Sequence, residues 1–205
     1  MAHAGGFTAA EAAFILREPV KAVKKALDDG PIESKLVAKA SGTVRAVQWN
    51  DLLYLVAVRS LRDELTPKAR SDFYQALKNL PADRTREVRF GRLSVAIDDF
   101  KIEVEARTRD LADLSEKIEF RKDGEAVLKG TDVEVHRIAA LLGGGLSPDA
   151  VCEDYPTLTP EHVEIARAYA EAHPKSGRPY PRTTMRRALL GAGLEALDEV
   201  LDPEA

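Results

Sequence analysis

The sequence predicts a mainly α-helical fold with small β-hairpins: an N-terminal winged helix-turn-helix, a three-helix module like a helix-turn-helix, and a C-terminal arm. Helix-start signals, in which a hydroxyl residue stands directly before proline, recur at Thr66, Ser147 and Thr159. The apolar residues after these signals recur every three or four positions, as on one face of a helix. Short β-rich runs on either side of glycine-containing turns predict the hairpins.

Length and composition restrict the class of protein. A chain of 205 residues suits one large domain or two smaller ones, and we favour two. No apolar run approaches the roughly 20 residues that span a bilayer, so we expect no membrane segment. The start, MAHAGGFTAAEAA, lacks the basic and apolar regions of an export signal, which predicts a cytoplasmic protein. The net charge of −4 argues against a histone-like affinity for nucleic acid, so the local distribution of charge matters more.

A helix-turn-helix is predicted by the first segment, FTAAEAAFILREPVKAVKKALDDGPI. Thr8 and Glu11 have the spacing of a capping box, and the apolar residues after them indicate a first helix that ends near Arg17. Pro19 begins a second helix, which ends at Asp29-Gly30-Pro31. Two short helices joined by a tight turn make up this motif.

The N-terminal unit continues with hairpins and helices. Two β-rich runs flank Ser41-Gly42 in KLVAKASGTVRAVQ, which predicts a small hairpin, or wing, after the second helix. Asn50 is expected to cap a longer helix, and Thr66-Pro67 to begin another. An alternating run, EVRFGRLSVAI, predicts a second hairpin.

A heptad-like apolar seam follows the second hairpin. Its positions keep a–d spacing over three heptads, with one polar occupant, Arg107. The pattern fits a helix packed on its own domain as well as a helix paired with a partner helix, because coiled coils usually sustain three or four heptads. A homodimer is therefore one of two interpretations. The seam comprises Ile97, Phe100, Val104, Arg107, Leu111, Leu114 and Ile118.

The next segment predicts a compact three-helix module. Short strands are expected around Asp123-Gly124, followed by a helix in VEVHRIAALLGGG whose glycines suit a left-handed turn. Ser147-Pro148-Asp149 and Thr159-Pro160-Glu161 each supply a hydroxyl cap, a proline at the first helical position and an acid in the first turn. The chain is therefore predicted to form two domains, residues 1–118 and 119–174, followed by an arm with its helix, residues 175–205.

The chain changes character at residue 175, where an extended arm followed by a helix is predicted. Pro179 and Pro181 interrupt a basic stretch, as in a linker. The final helix, MRRALLGAGLEALDEVL, has an apolar face that needs a covering surface, and its second half is acidic. The bases of the arm are Lys175, Arg178, Arg182, Arg186 and Arg187.

No catalytic or metal-binding motif is recognisable. Cys152, His136, His162 and His173 lack the i, i+4 spacing of a zinc site, and no second cysteine is available for a disulfide. The glycine run 143–145 is not followed by the Lys-Ser or Lys-Thr of a phosphate loop. Cys152 is expected to be a packing residue inside a helix. We therefore expect no enzyme, no catalytic residue, no metal and no cofactor.

The second helix of the predicted helix-turn-helix carries the candidate DNA-binding residues. Lys21, Lys24 and Lys25 are expected to face outward while the apolar residues of this helix face inward. In a helix-turn-helix the second helix lies in the major groove, where lysines meet phosphates or guanine edges. The alternative is a solvated basic face with no ligand.

One segment, residues 129–174, resembles the family catalogued as domain of unknown function 433. At its start it has Lys-Gly-Thr-Asp-Val-Glu-Val where members usually carry Arg-Gly-Thr-Arg-x-Pro-Val. The resemblance implies an antitoxin of the VapB type whose toxin is a PIN-like ribonuclease. The front of the chain is similar to MerR-like winged helix-turn-helix regulators. The shared marks of the segment are Gly130-Thr131, the glycines before Leu146-Ser147-Pro148, Glu153-Asp154-Tyr155-Pro156, Leu158-Thr159 and Tyr169-Ala170.

The resemblance and the charge pattern together predict an antitoxin that represses its own operon. A PIN-type toxin holds divalent metal among carboxylates, and an arginine can fill and ion-pair such an acidic pocket. The last helix is expected to fill a groove of the toxin, and the front domain to bind operator DNA. The predicted toxin-binding residues are Arg178, Arg182, Arg186, Arg187, Leu189, Leu190, Leu194 and Leu197.

Several alternatives stay open. As an antitoxin, the chain is expected to form a homodimer or a larger hetero-oligomer with its toxin. It could instead be a stand-alone homodimeric transcription regulator whose last helix forms the dimer. The arm could be a nonspecific basic linker with its last helix folded back on the body. A small enzyme or RNA-binding protein is a further alternative, although no residue supports it.

Overall fold

The computed structural model describes residues 6–39, 42–79, 86–175, 177 and 180–191. In these ranges the protein is mainly α-helical with short antiparallel hairpins, as predicted. The chain divides into two compact units, unit 1 and unit 2, with the boundary between Asp113 and Leu114. The finer division into residues 1–118, 119–174 and 175–205 stays a prediction.

Unit 1 contains the predicted helices and hairpins in the predicted order. Antiparallel pairs join β1 to β2 and β3 to β4, and Phe7 pairs with Val47 just outside the first hairpin. The described elements are α1 (Ala9–Leu16), α2 (Val20–Asp29), β1 (Lys35–Lys39), β2 (Gly42–Ala46), α3 (Trp49–Ser60), α4 (Pro67–Lys78), β3 (Glu87–Phe90), β4 (Leu93–Ala96) and α5 (Asp98–Glu116), which runs across the boundary.

Hydrogen bonds cap α1 at both ends, and its C-terminal end forms the turn into α2. The Thr8 hydroxyl accepts from the Glu11 N–H at 3.2 Å, and the Glu11 carboxylate accepts from the Thr8 N–H at 2.6 Å, which confirms the predicted capping box. Arg17 caps the other end in the left-handed conformation, with a φ of 52°. The Arg59 guanidinium donates to the Leu16 carbonyl at 2.6 Å, so a carbonyl that the helix leaves unsatisfied gains a partner.

The predicted cap of α3 is wrong. The helix begins at Trp49 with Gln48 as its N-cap, two residues before Asn50. The Asp51 carboxylate accepts from the Gln48 N–H, three residues earlier, at 2.7 Å, and so starts the helix at Trp49. A hydrogen bond from the Tyr74 hydroxyl on α4 holds this carboxylate in its buried position, and this contribution is tertiary. The Asn50 side chain donates instead to the Leu77 carbonyl on α4, at 3.1 Å.

The seam is shorter as a helix than its sequence pattern predicted. α5 covers Asp98–Glu116, so Ile97 precedes the helix and Ile118 already belongs to a strand. Both are nevertheless buried, as expected of seam positions. Every seam position is buried or half-buried within a single chain, which is what the intramolecular interpretation expects. The pairing of this helix with a second copy stays a prediction.

Unit 2 begins with a hairpin, and the predicted three helices follow it. Gly145 adopts a φ of +95° directly after the first of these helices, which confirms the predicted glycine turn. Ser147 and Thr159 cap the next two helices through their hydroxyls, also as predicted. The described elements are β5 (Ile118–Phe120), β6 (Ala126–Leu128), α6 (Val135–Gly143), α7 (Pro148–Asp154), α8 (Pro160–Ala172) and α9 (Met185–Gly191).

Candidate nucleic-acid interface and C-terminal segment

The outer side of α2 carries the three lysines that the sequence singled out. Val23 and Leu27 are 2% and 5% exposed and turn the opposite side of the helix inward. Lys21, Lys24 and Lys25 are exposed. We call these three residues the basic face. Because residues three and four apart share one side of a helix, the structure brings the predicted DNA-binding residues together.

The charge of α2 changes sign along its length. The basic face lies within the first six residues of the helix, whereas Asp28 and Asp29 are its last two residues. Arg45 of β2 forms an ion pair with Asp28, so this base of the hairpin faces the acidic end of α2. An anion is therefore attracted mainly to the N-terminal half of α2, the end whose residues reach base edges in helix-turn-helix proteins.

A buried polar chain holds the segment that leaves α2. The Glu33 N–H donates to the Tyr74 hydroxyl at 3.2 Å, and this hydroxyl donates to the Asp51 carboxylate at 2.8 Å. Burial raises the pKa of Asp51, although the hydrogen bonds from Gln48 and Tyr74 act in the opposite direction. Burial and the Asp51 carboxylate likewise raise the pKa of Tyr74. Sequence reasoning missed this chain, because Glu33 and Tyr74 are 41 positions apart.

Replacing Tyr74 by phenylalanine is expected to lower the free energy of unfolding by about 1–2 kcal/mol, because the substitution leaves buried hydrogen-bonding groups unpaired. Urea unfolding followed by circular dichroism measures the change. Tyr54→Phe is the matched control: Tyr54 is also buried, and within the described residues its hydroxyl makes no hydrogen bond. We expect a change of about 0.5 kcal/mol or less for this control. Equal losses in the two variants would contradict the role given to the Tyr74 hydroxyl.

In unit 2, the chain after α8 folds onto the hairpin and helices before it. We call residues 175–191 the C-terminal segment; 176, 178 and 179 are not among the described residues. The Lys175 ammonium donates to both Glu125 oxygens, at 2.5 and 2.6 Å, and to the Tyr180 hydroxyl at 2.7 Å. These bonds raise the pKa of Lys175 to about 12, and the Lys175 bond lowers the pKa of Glu125. The start of the segment is thus tied to the turn of the hairpin.

A second set of contacts ties the segment to the end of α7. The Asp154 side chain is 4% exposed. It accepts from Arg187 Nε at 2.7 Å and from the Thr184 hydroxyl at 2.9 Å. Burial by itself raises the pKa of Asp154, but hydrogen bonds from Arg187 and Thr184 and the Arg186 charge outweigh it, so the pKa is lowered. We call Asp154, Thr184 and Arg187 the Asp154 clasp.

Two contacts at α6 complete the attachment. The Arg137 guanidinium donates to the Pro181 carbonyl at 2.9 Å and to the Thr183 carbonyl at 3.1 Å. At Gly144, which caps α6, a methyl group would lie 2.2 Å from the Arg182 carbonyl oxygen. The segment approaches the end of α6 this closely because Gly144 has no side chain.

The predicted toxin-binding residues fall into three groups. Arg187 is half-buried in the Asp154 clasp. Arg182 and Arg186 are exposed, as is Leu189 at 47%, beside an exposed Met185 at 80%. Outside the described residues lie Arg178, Leu194, Leu197 and the side chain of Leu190. The sequence analysis gave no binding or anchoring role to Asp154 or Thr184, although a threonine directly before a helix is a recognisable cap.

Neither a metal site nor a membrane span is found in the described part of the chain. No three His, Cys, Asp or Glu side chains in these ranges are grouped so that they could hold a metal ion. Cys152 lies in α7 as a free, half-buried cysteine. No described helix has both the length and the apolar character needed to cross a membrane.

Comparison with known proteins finds a family match, within unit 2, and two similar proteins that cover most of the chain. The family described as "Protein of unknown function (DUF433)" matches residues 121–170, which confirms the predicted resemblance to domain of unknown function 433. "Uncharacterized protein y4eO" of Sinorhizobium fredii is 26% identical over 189 residues, covering 83% of this chain and 82% of that protein. The X-ray crystal structure of Rv2018 from Mycobacterium tuberculosis covers 78% of this chain and 96% of that chain at 16% identity, with a TM-score of 0.31.

Proposed function

We propose that the protein is the antitoxin of a type II toxin–antitoxin pair, of the VapB type, which binds its own operator through α2 and neutralises a PIN-like ribonuclease through the C-terminal segment. The observation that carries the proposal is that each unit has an exposed basic surface of its own. One is the basic face of α2 in unit 1, and the other consists of Arg182 and Arg186 of the C-terminal segment in unit 2. Both stand out in a chain whose net charge is −4.

The arrangement of unit 1 supports DNA binding. Two short helices joined by a tight turn are followed by an antiparallel hairpin, which is the order of a winged helix-turn-helix like that of MerR-like regulators. The basic face lies on the second of these helices, on the side away from the core. Lysines in this position neutralise phosphates and release the counterions of DNA.

The C-terminal segment supports binding of an acidic partner. Arg186, Met185 and Leu189 are all exposed on α9, so one surface of this helix combines a positive charge with apolar side chains. A guanidinium binds carboxylates in a forked geometry, and a PIN-type active site is a cluster of carboxylates. The apolar side chains suit a groove on that partner. The resemblance of unit 2 to domain of unknown function 433 points to the same class of partner.

Co-expression with the product of the neighbouring gene tests the proposal. We expect the two proteins to co-purify, the ribonuclease activity of the neighbour to be silent in the complex, and the complex to retard DNA from upstream of the gene pair. Ribonuclease activity should appear when the neighbour is purified alone. A protein that binds this DNA but neither binds nor silences its neighbour would be a stand-alone homodimeric regulator, and the antitoxin proposal would be wrong.

A further inference from the structure

The C-terminal segment contacts the three-helix module (α6–α8) on one side, through α6 and α7, and is exposed on the other side. Successive residues of a helix are rotated by about 100°, so Met185, Arg186 and Leu189 share one half of α9 while Arg187 points away from them. The exposure agrees, because the first three are exposed and Arg187 is half-buried. The module therefore determines which half of α9 a partner can reach.

We infer that the Asp154 clasp anchors and orients the C-terminal segment for its partner, and that Arg186, not Arg187, is the arginine that enters the partner's acidic pocket. This inference rests on the proposed function and assigns different roles to the two neighbouring arginines of α9. Arg187 is a positioning residue that acts through Asp154 and Thr184. Arg186 is the partner-binding residue.

The anchoring role of Arg187 follows from the environment of Asp154. Its nearly buried carboxylate has two side-chain donors in the segment, Arg187 and Thr184. Arg187 also donates to the Ala150 carbonyl at 3.0 Å and to Glu153 at 3.2 Å. If Arg187 left to enter another protein, a buried charge would stay behind without its main partner, which is strongly unfavourable. The segment thus keeps Arg187 on the module when a partner binds.

The partner-binding role of Arg186 follows from what it does not contact. Among the described residues it makes no hydrogen bond and no ion pair, and its guanidinium is exposed. It lies on the half of α9 that also exposes Met185 and Leu189. A partner groove that covers these apolar side chains brings its acidic wall to the neighbouring guanidinium. Charge complementarity therefore selects an acidic pocket as the occupant.

The anchor can be tested in the full chain without any partner. Gly144→Ala adds a methyl group 2.2 Å from the Arg182 carbonyl, whereas Gly143→Ala, one residue earlier, adds one that meets nothing within 4 Å. Both backbones accept alanine, because neither glycine has a positive φ. We expect Gly144→Ala and Arg187→Ala to speed trypsin cleavage after Lys175 and Arg182 by about 10-fold or more, with Gly143→Ala and Arg186→Ala unchanged. Unchanged cleavage in both Gly144→Ala and Arg187→Ala would overturn the anchor.

The two roles can then be separated by binding kinetics with the purified neighbouring gene product. Loss of a prepared orientation slows association, so Gly144→Ala and Arg187→Ala should lower the association rate constant about 10-fold with little change in dissociation. Loss of a partner contact speeds dissociation, so Arg186→Ala should raise the dissociation rate constant about 100-fold. Arg186→Lys should restore binding only in part, because an ammonium lacks the forked donors.

The outcomes distinguish the inference from the function on which it rests. Faster dissociation in Arg187→Ala than in Arg186→Ala would reverse the assignment of the two arginines and overturn the inference. Failure of the wild-type chain to bind its neighbour, with cleavage of Gly144→Ala still accelerated, would remove the proposed function and the role of Arg186. The anchoring of the segment by Asp154 would stand in that case.

Discussion

Reversal of the three charges in the basic face, Lys21→Glu, Lys24→Glu and Lys25→Glu, is expected to weaken binding to DNA from upstream of the gene by about 100-fold or more. Each lysine that contacts a phosphate contributes to affinity through counterion release, and a carboxylate in its place repels the same phosphate. The logarithm of the binding constant should also depend less steeply on the logarithm of salt concentration, by about one for each lysine. Fluorescence anisotropy at several salt concentrations measures both quantities.

A matched triple reversal controls for the change in net charge. Lys68, Lys122 and Lys129 are exposed and lie outside α2. Their replacement by glutamate gives the same net charge as reversal of the basic face. We expect this control to retain most of the affinity and nearly the full salt dependence. Equal loss in the two triple variants would show that affinity follows overall charge, and the assignment of DNA binding to α2 would then be wrong.

A chain that ends at Pro174 is expected to lose neutralisation of the neighbouring ribonuclease completely. The truncation removes every exposed base and apolar side chain of the C-terminal segment, so the partner's acidic site has nothing to occupy it. Growth of cells that co-express the two proteins, and ribonuclease activity of the purified mixture, measure the loss. Operator binding should persist, because the basic face lies in unit 1.

The truncation needs a second variant as a control for stability, because the shortened chain leaves Asp154 without the donors Arg187 and Thr184. Asp154→Asn in the truncated chain removes this unpaired charge and should recover stability without recovering neutralisation. In the full chain, Arg182→Glu with Arg186→Glu should abolish neutralisation while the clasp stays intact. Lys122→Glu with Lys129→Glu is its matched control and should neutralise normally. If the truncated chain still neutralised the ribonuclease, the toxin-binding role of the C-terminal segment would be wrong.

The helices and hairpins were largely predictable because their signals are local. The Thr8–Glu11 capping box joins residues three positions apart, and so do the hydroxyl caps at Ser147 and Thr159. Hydrogen bonds between residues this close in sequence form at the start of a helix and do not depend on distant parts of the chain. The glycine turn at Gly145 is local in the same sense, since only a residue without a side chain adopts a positive φ freely.

The sites were predictable only in part, because which groups become buried together depends on distant segments. The outward direction of Lys21, Lys24 and Lys25 followed from helical spacing alone. The start of α3 did not, since the buried Asp51 and the Tyr74 hydroxyl on α4 are joined across 23 positions. The Asp154 clasp joins groups 33 positions apart, and no pattern in the sequence pairs them.

The sequence by itself determined the order of helices and hairpins, the basic face of α2 and the resemblance of unit 2 to domain of unknown function 433. Only the tertiary structure decided that the C-terminal segment lies on the module, with Arg187 held by Asp154 and Arg186 left exposed. The physical reason is that the five arm bases are alike in sequence, whereas the low exposure of one carboxylate makes a single arginine its partner. The burial of a residue depends on the segments packed around it, and burial is what distinguishes Arg187, the anchor, from Arg186, the binding residue.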